Sequence, residues 1–343
     1  TRIASAHATP AASQDRMISI TSFIARHDNG PGRGLKAQIV TSPGPGLSRR
    51  LIFSDPEPSA TVVRMSLRIL HFSDVHLPAP PGAFRTPEIL HPKRLLALLN
   101  FLLRRGSKYA DALQKLHGLR DFLVREPVDY ILYTGDTLNF GLKREFMDAA
   151  PRLAGILALA RRGALAVPGN HDLYTGASPV HHRQHFTPRP SGDLPEAATP
   201  TGYPLVRWLG EEAVAIAVNS SRPRFAFWDS SGRVPDLELD ALARILDRPE
   251  IAVRRHVFVM THYPFDDHGF FHGLRNSRQL LALLQNRDNL VLLHGHNHQP
   301  YARRIPGTSL RLYCAGSLSK AGAESFWLFD LLGDSLHPRR GAW

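Results

Sequence analysis

Two rhythms run along the chain from Met65 onward. Short apolar runs alternate with longer stretches whose apolar positions recur every three or four residues. The short runs predict strands: "RILHFS", "DYILYTG", "ALAVPG", "VAIAVNS", "HVFVMTH", "LVLLHG", "LRLYCAG" and "SFWLFDL". The longer stretches predict helices: "PKRLLALLNFLLRRG", "KYADALQKLHGLRDFLVRE", "KREFMDAAPRLAGILALARR", "LELDALARILDR" and "NSRQLLALLQN". Apolar strands separated by helices fit sheets covered on their faces, an α/β architecture. There is no internal repeat.

Residues 1–64 keep neither rhythm. They are rich in Ser, Pro, Gly, Ala and Arg, and "TSPGPGLSRR" and "SDPEPSA" read as loop. The expectation is a folded domain over residues 65–343. Residues 1–64 are expected to be a disordered arm or a non-native extension translated from a misplaced start. Intact mass of the natively expressed protein separates the two.

Polar residues with metal-binding side chains collect where the strands stop, the edge at which α/β proteins hold ligands. The first strand delivers Asp74 and His76. The next deliver Gly135, Asp136 and Asn139, then Gly169, Asn170, His171 and Asp172. His262 follows "VFVMT", and His296 and His298 follow "LVLLHG". Asp74 and His76 stand two apart, so an extended backbone would aim both to one side. Carboxylates, imidazoles and an amide oxygen, with no thiolate, suit Mn, Fe, Zn or Co. Seven or more donors exceed the needs of one tetrahedral ion. Two ions about 3.5–4 Å apart would use them. Glycines 135, 169 and 295 beside the donors are expected to turn the backbone sharply and let a substrate approach.

Composition adds exclusions. Of 343 residues, 43% are hydrophobic and 21% charged, ordinary for a globular chain with a large core. A single cysteine, Cys314, rules out a disulfide framework and a cysteine-rich zinc module, and fits a reducing cytoplasm. It sits in an apolar run and is expected to be buried. No apolar run approaches the ~18 residues of a membrane-spanning helix. The net charge is +12, of which residues 1–64, with eight Lys/Arg and four Asp/Glu, leave +8 for the remainder. The arginines are scattered, so a solvated basic surface and an anionic partner are both open. No aromatic-basic stripe indicates nucleic acid.

"SDVH", "TGD", "PGNHD", "THYPF" and "HGHNH", in this order from Asp74 to His298, resemble the calcineurin-like metallophosphoesterase family. The resemblance covers about residues 66–330. It implies an α/β fold of four-layer αββα sandwich type around a dinuclear site. It implies that Asp74, His76 and His298 hold one metal, that Asn170, His262 and His296 hold the second, and that Asp136 bridges them. The ions expected are divalent or trivalent, Mn and Fe foremost, with Zn and Co as alternatives. His171 is implied to protonate the leaving oxygen or stabilise the phosphate, with Asp172 orienting it, while a bridging hydroxide attacks phosphorus in line.

The substrate expected is a phosphate-ester small molecule. A 3',5'-cyclic-nucleotide phosphodiesterase fits the "GNHD" block. A UDP-2,3-diacylglucosamine-type pyrophosphate hydrolase fits residues 82–125, a helical insertion between the first and second motifs. Related enzymes acting on lipid-linked nucleotide sugars use apolar helices as caps, although one branch carries arginine where this chain has His171. The insertion reads either as helices covering the sheet or as a cap meeting an acyl chain or anionic membrane surface. The localisation expected is cytoplasmic, with peripheral contact at the inner face of the membrane through 82–125. A non-catalytic metal-binding scaffold and a nuclease are the remaining readings. "SPVHHRQHF", with His181, His182 and His185, reads as a loop, solvated or rimming the cleft. Arg183, Arg222 and Arg275 are open candidates for meeting substrate.

Overall fold

The computed structural model describes residues 66–186, 192–226, 228–266 and 269–342. The extension assigned to residues 1–64 lies outside them. Eleven strands are formed among the described residues: β1 Leu67–Phe72, β2 Tyr130–Tyr133, β3 Gly163–Ala166, β4 Leu205–Leu209, β5 Ala213–Ala217, β6 His256–Met260, β7 Leu290–His294, β8 Pro300–Arg304, β9 Arg311–Ala315, β10 Phe326–Leu332 and β11 Ser335–Gly341. The helices are α1 Pro92–Asn100, α2 Ala112–Arg125, α3 Lys143–Leu157, α4 Ser178–His185, α5 Asp236–Leu246, α6 Pro249–Ala252 and α7 Ser277–Leu284. No helix among the described residues is long and apolar enough to cross a membrane.

One sheet has the order β11-β10-β1-β2-β3, the other β4-β5-β6-β7-β9-β8. Parallel pairs dominate the centres (β1 with β2, β2 with β3, β5 with β6, β6 with β7, β7 with β9). Their carboxyl ends therefore run out along common edges.

Side-chain alternation sorts each strand into two cores. Leu67 and Ile69 of β1, Leu132 of β2, Phe258 of β6, Leu293 of β7 and Phe329 of β10 share one cluster between the sheets. Leu70 and Phe72 point the other way, against Leu116, Leu119 and Leu123 of α2 and Phe146 and Leu153 of α3. On the second sheet, Val214, Ile216, Val257, Val259 and Leu292 meet Leu242 and Ile245 of α5 and Leu280 of α7. The order is helix, sheet, sheet, helix. Each fully buried Leu, Val or Phe here contributes about 1.5–3 kcal/mol.

Three strands lie outside the expected set: β4, β8 and β11. All three are sheet edges; in β8 and β11 polar positions displace the apolar run, whereas β4, LVRWL, is a short apolar run that the pattern reading missed. β8 is the sequence PYARR and β11 is SLHPRRG, with Pro338 at an edge. The histidine-rich segment expected to be a loop is helix α4, started by Pro179 in its first turn. His181 pairs with Glu88 at 2.7 Å, and His182 stacks on Phe186. Cys314 is buried, as expected.

Candidate metal centre

The predicted donors converge. Where β1 ends, Asp74 N donates to Gly135 O (2.8 Å) and His76 N to Asp136 O (3.0 Å), which locks the first two donor loops together. Asp74 Oδ1, His76 Nε2, an Asp136 carboxylate oxygen and a His298 ring nitrogen all lie within 4.8 Å of one another. A second group shares Asp136: His262 Nε2 is 3.4 Å from Asp136 Oδ2 and 3.0 Å from Asn170 Oδ1, which is 2.9 Å from His296 Nδ1.

The ring nitrogens are aimed by their outer neighbours. His76 Nδ1 is 3.0 Å from Leu138 O, His262 Nδ1 is 2.7 Å from Thr134 O, and His296 Nε2 is 2.9 Å from His272 O. A carbonyl oxygen only accepts, so each of these nitrogens carries a proton and each ring is held with its other nitrogen turned toward the cluster. His76 Nε2 and His298 Nε2 face each other at 3.2 Å beside Asp74. His298 Nε2 is 2.9 Å from Asp74 Oδ1, yet no donor is aligned on that buried oxygen. Buried carboxylates, imidazole nitrogens and an amide oxygen packed this closely fit a cation site. Burial works against the Asp136 charge, but His262, His171 and His76 outweigh it and hold its carboxyl well below the usual range.

Backbone strain marks the same residues. Among the described residues, the non-glycine positions with positive φ are Asp74 (55°), His76 (46°), Asp136 (61°), His296 (68°) and His298 (53°). Every one is a predicted ligand. Such a conformation costs on the order of 1–3 kcal/mol per residue and persists only where the surroundings demand it. Asp74 and His76 therefore do not sit on extended backbone as expected; left-handed turns at both aim them inward.

Gly135 turns the backbone sharply, as expected, and the other two glycines make room for donor side chains. A Cβ on Gly169 would lie 2.0 Å from Asp136 Oδ1, and one on Gly295 would lie 2.3 Å from Asp74 Oδ2. They leave room for the donor carboxylates rather than for substrate. Gly135, at φ +93°, would drive a Cβ to 2.4 Å from Gly169 N.

His171 lines the cavity at this centre. Its Nδ1 is 2.7 Å from Asn139 O, and its ring stacks on Tyr174 at 5.3 Å. Asp172, expected to orient it, has another task. Its carboxylate accepts from the backbone N–H groups of Asp136, Thr137, Leu138 and Gly169 at 2.9–3.2 Å. It ties two donor loops together, while the Asn139 carbonyl sets the His171 ring. The Asn139 side chain donates to His76 O and Leu77 O.

Sequence reasoning missed several contributors. Tyr109, in the insertion, places its hydroxyl 2.9 Å from His298 Nδ1. Ser317 Oγ donates to Asp74 O at 2.7 Å and Ser319 Oγ to Val75 O at 2.5 Å. Lys93 of α1 is buried at 5% exposure on the cavity wall, with its Nζ 3.2 Å from Arg224 O and 4.5 Å from the Tyr174 ring centre. Burial drives its pKa down to about 8. Arg275, an open candidate from sequence, pairs with Asp229 at 2.8 Å. The cavity measures about 570 Å³ and is walled by α1 on one side and by Ser230 and His272 on the other.

The family model of the calcineurin-like phosphoesterases matches residues 67–300. The chain belongs to that family. Among solved structures, it is similar to a dimetal phosphatase from Danio rerio, with 14% identity and TM-score 0.57, covering 80% of this chain and 96% of that one. It is also similar to the purple acid phosphatase PPD1 of yellow lupin (Lupinus luteus), with 11% identity and TM-score 0.51, covering 81% of this chain and 53% of that one. At these identities the likeness is one of fold. No curated protein is similar to the chain at a significant level.

Proposed function

We propose that this protein hydrolyses phosphodiester or related phosphate ester bonds with a dinuclear metal centre. The observation that supports this most is the inward aim of donor atoms from five strand ends, three of the histidines being fixed by backbone carbonyls. In this reading Asp74, His76 and His298 hold one ion, Asn170, His262 and His296 the other, and Asp136 touches both. Mn or Fe fits the donors first, Zn or Co next. When bound, the ions supply an activated water and neutralise phosphate charge. His171, anchored through Nδ1 at Asn139, moves a proton at the leaving oxygen through Nε2. The Lys93 ammonium meets a non-bridging phosphate oxygen in the cavity. Family membership with every ligand position retained favours an enzyme over a scaffold. We place it in the cytoplasm, in keeping with its lone thiol.

Two substrates compete, a 3',5'-cyclic nucleotide and a nucleotide diphosphate carrying acyl chains. The apolar wall formed by Leu96 and Ala97 favours the second. The test is a metal-reconstituted screen against bis(p-nitrophenyl) phosphate, cyclic nucleotides and nucleotide-diphosphate lipids, run beside Asp136→Ala. We expect metal-dependent turnover, reduced at least about a thousandfold in the variant, some 4 kcal/mol of transition-state stabilisation. No metal-dependent turnover on any ester overturns the reading.

A further inference from the structure

Helix α1 is partly inside out. Its buried residues are Lys93 and Arg94, whereas Leu95, Leu96 and Leu99 are 46%, 42% and 54% exposed. The π-helical turn Phe101–Arg105 that continues it leaves Leu102 and Leu103 more than 70% exposed. Arg94 explains how the helix stays in place: its guanidinium donates to Phe140 O (3.0 Å), Gly141 O (2.7 Å) and Glu88 O (3.0 Å). The cap is fastened to the donor loop by these cations and by Ala97, Leu98 and Phe101, which pack on Ala83, Phe140 and Leu142. Leu95, Leu99, Leu102 and Leu103 stay open to the outside.

A second apolar surface lies across the cavity. Lys93 Nζ donates to Arg224 O, the His91 ring is 5.9 Å from that of Phe225, and Ser230 N donates to Phe271 O at 2.8 Å. These contacts bring residues 224–230 and 269–273 opposite α1. They carry Phe225, Trp228, Phe270 and Phe271, all 45% exposed or more. Exposed apolar patches of this extent, rimming a cavity, mark contact sites.

Positive charge accompanies both surfaces. In sequence, residues 89–110 hold five Lys/Arg and no Asp/Glu, of which Lys93 and Arg94 turn inward. On the other side, Arg222, Arg224, Arg233 and Arg275 stand close enough to repel one another, with Asp229 pairing Arg224 and Arg275. Leucine and aromatic side chains among cations are the composition of a surface that lies on anionic lipid. A second copy of this chain fits worse, because two basic rims would repel.

We infer that the substrate is a membrane lipid with a phosphodiester or diphosphate head group, taken from an anionic bilayer on which the α1 leucines and the Phe225–Phe271 rim rest. The head group reaches the metal centre along the cavity; the acyl chains stay against the rim. This rests on the phosphoester-hydrolase reading.

The test uses the full chain reconstituted with Mn. Co-sedimentation is measured with phosphatidylcholine–phosphatidylglycerol vesicles and with phosphatidylcholine alone, and turnover of bis(p-nitrophenyl) phosphate is followed in parallel. We expect preference for the anionic vesicles, weakened about tenfold or more in Leu102→Ser/Leu103→Ser and in Phe225→Ser. Turnover of the soluble ester stays within about twofold of wild type in both variants, because none of the three residues lines the cavity. A phosphodiester lipid in vesicles should be cleaved faster than its water-soluble short-chain homologue. Unchanged soluble turnover with no vesicle binding overturns the lipid assignment and leaves the hydrolase. A dimer by light scattering that Leu102→Ser/Leu103→Ser dissolves, again without vesicle binding, makes the rim a self-interface and also overturns it. Vesicle binding with no ester cleaved removes the hydrolase reading instead, and the lipid's role as substrate with it.

Discussion

Helices α1 and α2 belong to one insertion and look alike as sequence, each leucine-rich with basic residues along the edge. Their fates are opposite. α2 buries Leu116, Leu119 and Leu123 to 2% exposure or less against the first sheet. α1 buries Lys93 and Arg94 and leaves Leu95, Leu96 and Leu99 open, with Leu98 partly covered. α2 meets the expectation of sheet cover; α1 lies over the donor loop at the cavity instead. Amphipathicity tells which residues share a face, but not which face the protein will cover. That is decided by what lies beneath: an apolar sheet under α2, and under α1 the carbonyls of a donor loop beside a small apolar cluster of Ala83, Phe140 and Leu142.

The sharpest way to break this comparison is a pair of truncations. Leu119→Ala should cost about 2–5 kcal/mol of stability in denaturant unfolding, through lost burial and a cavity. Leu99→Ala should stay within about 0.5 kcal/mol. Equal losses would mean that α1 is a core helix after all. Next is Arg94→Met, which leaves the carbonyls of Phe140 and Gly141 without their donor. It should cost about 1.5–3 kcal/mol and raise KM more than it lowers kcat, because the cap loosens over an intact centre. A change in kcat alone would detach the cap from substrate binding.

The smallest effect sharpens the role of α1 in chemistry. Lys93→Met should lower kcat/KM about tenfold, near 1.4 kcal/mol. The Lys93 ammonium is present below about pH 8 and lost above it. Wild-type kcat/KM should therefore fall as pH rises through that value, and the variant should lack this limb. Stability should move the other way. Between about 8 and the ordinary 10.5, the unfolded chain holds the proton that the folded chain has released. Stability accordingly rises with pH across this window, and Lys93→Met abolishes the rise. Matching profiles for both proteins would remove Lys93 from phosphate recognition.

Much of the centre was legible because ligand chemistry is carried by side-chain type, and each donor block follows an apolar run short enough to be a strand. Asp74, Asp136, Asn170 and His262 could be placed at strand ends without coordinates. What aims them was not legible. The carbonyls of Leu138, Thr134, Asn139 and His272 belong to no motif, since every residue has one. Tyr109 sits 189 residues from His298 and left no signal. The aspartate of "GNHD" is conspicuous in sequence, yet its four N–H partners come from the backbone of two loops.

By itself the sequence determined the α/β rhythm, the central strands and the identity of the donors, because hydrophobic period and side-chain chemistry are local properties. Tertiary structure alone decided the edge strands β8 and β11, whose pairing compensates for a missing apolar pattern. It decided the left-handed turns at five ligands, which a loop adopts only under constraint from its neighbours. It also decided which face of α1 is buried. Arg94 can turn inward only because the carbonyls of the distant Phe140 and Gly141 wait there beside that of nearby Glu88, and bringing those groups together is the work of the whole fold.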